Sequence, residues 1–593
     1  MIIIRVLLVA LVVMPAVAQV DVLTRRYDNQ RSGVNTHETV LTHDSIRSNR
    51  FGKLWTLYAD AKIMAQPLYV SNLVVPAGSI IGTTAKAKCA GGCNTVIFAT
   101  MKGILYAYMA DQKPQTQSDT LLWATYLSDG QHCQCGATGP QNGSGNFDMW
   151  AVDDPWWGIL STPVIDRETN SLYVVNWTND QQYRLYNLSL TTGQIKKGPV
   201  VVNGSVGGET FWPNTNGFIQ RRKQRAGLAL SKGLLYVAFG GDNQEALAGW
   251  LFVYDAATLT LKTVWSPTPN GRNGGIWMAG DAPAADDSGN IYLQTGDGDL
   301  APDKHSYGDS ILKLHFENNA ISVTGFFAPC NQMLLRQCDL DQGSSGALLF
   351  GRFVIGGGKD GKLFLMARDK LPGYTPGPFP PAAAMCGPGE PDCTDGPDLV
   401  QKWQATTGHI HGSPVLWHGH SRTWLYIMGE GDHLKAYQFE NGEFDTATPL
   451  EAKWTQPNVN NVPACQTQAN HGAWMPGGYL EVSSNDSNHG TGIVWAVVPV
   501  NGDSNSCRGV KGMLLAVDAE NVSRELWRSQ ARDATNSDTK DSFGLLARFN
   551  LPTIANGKVF VPTAGDAEPL QRYGGPRPAP GPANYYLAVY GLR

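Results

Sequence analysis

Between Thr24 and Arg593 one phrase recurs about eight times: a turn, a strand ending in bulky apolar residues, another turn, and a strand closing on Trp. Its clearest copies are GILYAYMA with LLWATYL (103–110, 121–127), WLFVYDAATLTLKTVWS (250–266), GKLFLMARD with VQKWQAT (361–369, 400–406) and MLLAVDAENVSRELWRS (513–529). A small antiparallel unit with apolar residues on both faces cannot bury itself. It must stack on its neighbours around an axis, which predicts an all-β chain folded as a β-propeller.

Inner strands are marked by a small or polar residue, often Pro, then an apolar pair and a turn. They read as 64–70, 159–166, 225–233, 279–289, 344–351, 410–419, 474–482 and 549–557, which makes eight blades, or seven if one of these is a loop. The last blade lacks an outer strand, whereas FGKLWTLYA (51–59) is an outer-strand phrase standing before the first inner strand. Ring closure follows: the N-terminal strand completes the C-terminal blade, so that no sheet edge is left unpaired. Hairpin tips such as TGQ (192–194), DSG (287–289), KDG (359–361) and ANG (555–557) carry the Gly or Asn that tight turns require.

A length of 593 residues would by itself suggest several domains, but propeller repeats share one toroid, so 19–593 is expected to be a single propeller. Arg5, the apolar stretch from Val6 to Met14, and Ala16-Val17-Ala18 have the form of a signal peptide over 1–18. That stretch is shorter than the ~20 apolar residues of a membrane span. The expected location is periplasmic or extracellular, as a monomer. A formal charge of −5 with no basic run gives nucleic acid no footing. Ten cysteines in Gly/Pro-rich loops read as disulfides: Cys89/Cys93, Cys133/Cys135, Cys330/Cys338 and Cys386/Cys393 are near neighbours, with Cys465 and Cys507 besides. Two insertions, about 130–154 and 372–399, are expected to be cysteine-stapled rim loops. No C-x-x-C-H occurs, so no attached c-type haem is expected.

GGGKDGK (356–362) has phosphate-loop spacing, but Leu363 stands where Ser or Thr belongs and a strand follows, so it is a hairpin. Trp55, Trp123, Trp265, Trp403, Trp454 and Trp527 share the outer-strand slot, where a large ring packs between blades. Trp277, Trp157 and Trp474 instead flank inner strands near the axial funnel, where they either stack on a flat ligand or pack. His409 and His411 sit at the entrance to an inner strand and face one way, to meet a ligand or to line the funnel. The sharpest local feature is acidic. TGDGDLAPD (295–303) sets Asp297, Asp299 and Asp303 on one Gly-rich loop, and CDLD (338–341) adds Asp339 and Asp341. Such carboxylates suit a hard, oxygen-seeking cation, or they are ordinary turn residues.

Taken in order, these segments resemble the eight-bladed propeller of the quinoprotein alcohol dehydrogenases, which use pyrroloquinoline quinone (PQQ). The resemblance is best over about 234–368. LLYVAFGGDNQEALAGWLFVYD (234–255) is similar to the segment supplying a Glu metal ligand, implying Gln244 or its neighbour Glu245. GGIWMAG (274–280) resembles the segment whose Trp stacks on the quinone, implying Trp277. IYLQTGDGD (291–299) resembles T-G-N-G/P, whose Asn binds the metal, implying Asp297. CDLDQGS (338–344) resembles the segment carrying the catalytic Asp, implying Asp339, with Asp341 matching the extra carboxylate of the lanthanide-dependent members. GGKDGKLFLMARD (357–369) resembles the stretch holding a basic quinone contact, implying Lys359; the Arg that follows the family's disulfide has no clear counterpart here, and Trp157, which falls nearby, is taken as a cofactor contact.

Two readings follow. One is an exported PQQ- and metal-dependent oxidoreductase, with Ca²⁺ or a lanthanide, acting on an alcohol or polyol. The other is a non-catalytic propeller that binds a protein, glycan or small ligand on its funnel face. Its support is that the family's adjacent Cys-Cys pair has only Cys133-Gln134-Cys135 as a counterpart and that the Glu ligand falls on Gln244.

Overall fold

Apolar residues occupy both faces of most strands, and the fold uses both. In the strand Leu234–Phe239, Leu235, Val237 and Phe239 pack toward the preceding blade, whereas Tyr236 and Ala238 pack toward the following one. This is the two-residue period of a strand placed between two neighbours. The computed structural model describes residues 20–76, 89–116, 118–127, 157–178, 180, 182–211, 223–241, 249–377, 393–452, 474–504, 507–533, 537–566, 571–572 and 584–593. The expected signal segment, the core of both insertions, Gln244, Glu245, Cys133 and Cys135 lie outside them.

Eight antiparallel sheets form the blades of a β-propeller. Their inner strands are Leu68–Leu73, Val164–Asp166, Ala229–Ser231, Ala284–Ala285, Leu348–Phe350, Val415–His418, Tyr479–Ser483 and Thr553–Ala555. Each falls within an inner-strand phrase of the sequence, so eight blades, and not seven, is the count. Ring closure is also as expected: Phe51–Ala59 runs antiparallel to Tyr585–Leu592 as the outer strand of blade 8. An apolar cluster fills each interface between neighbouring blades, including that between blade 8 and blade 1, where Phe560, Leu587 and Val589 meet Val96 and Phe98. Trp123 and Trp403 are buried in two of these interfaces.

Cys89 bonds Cys93, as neighbours. Cys330 departs from the nearest-neighbour grouping and bonds Cys393, 63 residues away, tying the exit of blade 4 to the second insertion. Cys338 and Cys507 are disulfide-bonded as well.

The axis is threaded by the chain's own N-terminal segment, Val20–Asn35, which the repeat pattern did not reveal. Its backbone and side chains hydrogen-bond every blade in turn. Val22 pairs with Tyr69, the Ile165 N–H donates to Leu23 O, and Asn29 Nδ2 donates to Leu230 O. The N–H groups of Ala285, Leu349, Leu416 and Val482 then donate to the carbonyls of Asn29, Gln30, Ser32 and Gly33. Tyr27 Oη exchanges hydrogen bonds with Ile554 of blade 8. Arg25, Arg26 and Arg31 are buried in this hub. Arg31 donates from Nε and Nη2 to Pro283 O at 3.1 and 2.7 Å, and from Nη1 to Thr24, Arg25 and Asp28. Arg25 and Arg26 flank Asp281 at 3.8 and 3.6 Å.

Removing the Arg31 guanidinium strands several buried acceptors, each costing about 1–3 kcal/mol. Arg31→Ala is therefore expected to lower the thermal midpoint well beyond the effect of a surface Arg→Ala substitution, and equal melts would remove the hub from the stability account. Glu481, buried beside Arg25, Arg26, Asp281 and Asp28, is pushed up from 4.5 to about 8 by burial, which outweighs the arginines. Between those values the unfolded chain has released a proton that the folded chain retains, so this group's contribution to stability falls as pH rises from about 4.5 to 8. Glu481→Gln should match the parent near pH 5 and gain on it toward pH 8; parallel melting-temperature profiles would contradict this.

Candidate functional site

In an antiparallel blade, the segment entering the inner strand and the turn between the second and third strands lie at the same end. Trp277 and Asp281 precede the inner strand of blade 4; Asp339 and Asp341 precede that of blade 5; His409 and His411 precede that of blade 6. Asp297 and Asp309 lie between the second and third strands of blade 4, Lys359 between those of blade 5, and Glu430 between those of blade 6. Topology alone thus delivers these side chains to one face.

Trp277 is held by a tight backbone. Met278 and Ala279 adopt φ of 42° and 46°, a left-handed conformation that costs about 1–3 kcal/mol at each non-glycine residue. The ring lies over glycine backbone: a Cβ on Gly240 would come 2.6 Å from Trp277 Cβ, and one on Gly296 would come 3.4 Å from its Nε1. Beneath it lies an apolar floor of Ala279, Tyr479, Phe549 and Leu551. Tyr479 Oη donates to Ala279 O at 3.4 Å and to His411 O at 3.1 Å, joining the entry segments of blades 4 and 6.

Lys359 is the electrostatic centre. Its Nζ lies 2.6 Å from Asp341 Oδ2, 3.0 Å from Asp339 Oδ1 and 5.9 Å from the centre of the Trp277 ring. Asp341 Oδ1 accepts the Asp297 N–H at 2.8 Å, and Asp341 O accepts the Lys359 N–H at 3.1 Å. Gly358 permits that approach, because a Cβ there would lie 2.3 Å from Asp341 O. Asp339 takes a left-handed φ of 55°, which Asp tolerates better than most residues. It follows the short helix Gln332–Gln337, whose start is anchored by the Cys330–Cys393 disulfide.

The carboxylates outnumber the cation. Burial alone would raise Asp341, but the Lys359 ammonium outweighs it and holds this carboxyl below its ordinary range. Lys359 is raised in turn, burial being overcome by Asp341 and Asp339. Asp297 is pushed up to about 7 by burial and by the charges of Asp341 and Asp339, and its buried Oδ1 has no hydrogen-bond partner among the described residues. Asp309, fully buried and accepting from Gln342 N and Gln332 Nε2, is raised further by burial, Asp341 and Asp297. An unsatisfied carboxylate oxygen within a group of acids is a donor set suited to a hard cation.

Of the residues singled out in the sequence, Trp277, Asp297, Asp339, Asp341 and Lys359 come together. Asp299 does not join them: it pairs with Arg336 at 2.5 Å. Asp303 is exposed. Trp157 is buried in the apolar core between blades 2 and 3, its Nε1 donating to Tyr183 Oη at 3.3 Å, so it is not part of this cluster. Trp474 is buried as well. Asp309 and Glu430, unnoticed in the sequence, belong to the same face. Their only sequence signal is their place in G-D-S and G-E-G-D turns after second strands.

No protein-family model and no curated protein matches the sequence, whereas solved structures do match its fold. A quinohemoprotein alcohol dehydrogenase from Comamonas testosteroni superposes with a TM-score of 0.51 at 13% identity, over 97% of this chain and 80% of that one. Quinohemoprotein alcohol dehydrogenase ADHIIG from Pseudomonas putida HK5 gives 0.52 at 11% identity, with the same coverage of 97% and 80%. A europium-containing methanol dehydrogenase gives 0.50 at 10%, over 96% of this chain and 98% of that one. At such identities the likeness is one of fold. The chain is an eight-bladed β-propeller with the architecture of the quinoprotein alcohol dehydrogenases.

Proposed function

We propose that this is an exported oxidoreductase of the quinoprotein type, using PQQ and a hard cation, Ca²⁺ or a lanthanide, to oxidise an alcohol or polyol. One observation carries the reading. Four residues identified in order from the sequence, Trp277, Asp297, Asp339 and Asp341, gather at the ammonium of a fifth, Lys359, and a buried oxygen of Asp297 has no hydrogen-bond partner among the described residues. The disulfides Cys89–Cys93 and Cys330–Cys393 support an oxidising compartment.

When bound, PQQ supplies a two-electron carbonyl oxidant and the cation supplies Lewis acidity. The chain's residues divide the remaining work. Trp277, fixed by its strained neighbours, offers a flat apolar face for a planar ring. Asp297 and Asp341 would be oxygen donors for the cation, with Gln244 or Glu245 the further donor that the resemblance implies. Asp339, the more exposed carboxylate with 46% of its side chain accessible, is the group placed to accept a substrate hydroxyl proton at Oδ. Lys359 orients Asp339 through its 3.0 Å contact and offsets the charge of Asp341.

Titration of the purified protein with PQQ in the presence of Ca²⁺ or La³⁺, followed by Trp fluorescence and quinone absorbance, should show stoichiometric binding. Trp277→Ala and Asp297→Ala should each weaken it at least ~10-fold, as even loss of a supporting metal-site contact does. Dye-linked alcohol oxidation should then follow. Absence of binding with either cation would retire the dehydrogenase reading and leave a propeller that binds a protein, glycan or small ligand. Cation affinity should rise as pH goes from 6 to 8, because the proton on Asp297, held to about 7, competes with the ion. A flat profile would take Asp297 out of the donor set.

A further inference from the structure

His409, His411 and Glu430 form a second group of donors, on the blade 5–6 side of the funnel. The two histidines lie on the segment joining the last strand of blade 5 (Leu399–Gln404) to the first of blade 6 (Val415–His418), and Glu430 lies between the strands Thr423–Ile427 and Leu434–Glu440. Each offers one ligand atom, and the three atoms lie within 4.8 Å of one another. Nε2 of His411 is 2.9 Å from Oε1 of Glu430, and Nδ1 of His409 is 3.6 Å from Oε2.

His411 is the informative member. It is 1% exposed, yet neither of its ring nitrogens makes a hydrogen bond among the described residues, although Nε2 lies at hydrogen-bond distance from Glu430. The separation is short but the direction is wrong for an N–H···O bond. Ligands sharing one ion behave in this way: each points at the ion and not at the other. With metal–ligand bonds of about 2.0–2.2 Å, adjacent donors on one ion stand roughly 2.9–3.5 Å apart. The separation of 2.9 Å to Oε1 lies at the lower end of that interval, and that of 3.6 Å to Oε2 falls just beyond its upper end.

We propose that His409, His411 and Glu430 bind a divalent first-row transition-metal ion of the Zn²⁺ class. Two imidazoles and one carboxylate select such an ion over Ca²⁺ or a lanthanide, which take oxygen donors. Three protein ligands leave a coordination position open to water or to an oxygen of a small molecule. The His411 ring is centred 5.9 Å from that of Trp277, so this ion and the carboxylate group share one funnel. The site does not depend on the quinone reading, since neither histidine has a role in it.

Co²⁺ is a suitable probe, because imidazole ligation gives it visible d–d absorption. The full-length protein, first treated with chelator, should bind Co²⁺ stoichiometrically with such a band, and Zn²⁺ but not excess Ca²⁺ should abolish the band. His411→Ala should weaken Co²⁺ binding at least ~10-fold, and Asp297→Ala should leave it unchanged. His409→Ala, at a side chain 12% exposed and so less critical to folding, should repeat the loss with a melt like that of the parent. No band at equimolar Co²⁺, a band surviving both histidine substitutions, or one lost in Asp297→Ala would overturn the proposal.

Discussion

The hydrogen bonds from Val20–Asn35 to the inner strands are what the rest of the molecule depends on. A propeller's inner strands converge on an axis where their backbone groups have no further strand to pair with. Here one segment supplies partners to all of them, its carbonyls accepting from Ala285, Leu349, Leu416 and Val482 in succession. The arginines suit this position because a guanidinium carries five donors and no acceptor, and Arg31 engages Pro283 and three partners of its own segment with them. The same N-terminal region then supplies Phe51–Ala59 to close blade 8. Most of these pairings join residues hundreds of positions apart, so the ring cannot close until both ends of the chain are in place.

Hub and funnel are mechanically continuous. Asp281, which Arg25 and Arg26 flank, lies on the entry segment that carries Trp277. Tyr479 spans from that segment to His411, and Phe549 packs against Trp277, His411 and Tyr479. The floor of the candidate site is therefore built from entry segments of blades 4, 6, 7 and 8 and held from below by the N-terminal segment. A side chain on such a floor inherits the rigidity of the whole ring, which is what positioning to within fractions of an ångström requires.

The parts of this architecture that repeat were legible in the sequence. Eight inner strands, the Trp slot and the closure by 51–59 all follow from a pattern printed many times over, each copy checking the others. The hub was not legible, because it occurs once and looks polar: T-R-R-Y-D-N-Q-R-S-G reads as a solvated stretch, and nothing local says that three arginines will be buried. The acidic loop 295–303 was legible only in part. Its three aspartates are equivalent on paper, but Asp297 turns inward to Asp341, Asp299 is drawn off by Arg336 from a helix some 40 positions on, and Asp303 meets solvent. Cys330 likewise passes over its neighbour Cys338 for Cys393, since pairing follows the path of the insertion and not sequence distance.

The charge in the funnel bears on what such a ring is for. Asp339 and Asp341 pair with one ammonium, Lys359, and the buried Asp297 and Asp309 lie close to Asp341; a stable fold has no need to bury three acids together. The neutral form is favoured at both buried acids: burial with Asp341 and Asp297 raises Asp309 well above its ordinary value, and Asp297 is brought to about 7. A proton on Asp297 is only a provisional solution, since Oδ1 is buried without a partner among the described residues. A multivalent cation would resolve the repulsion and the missing partner together, close to Trp277, whose neighbours Met278 and Ala279 are held in the left-handed conformation. Strain, excess charge and an orphaned oxygen at one point are costs that packing does not explain, and a bound ligand set would.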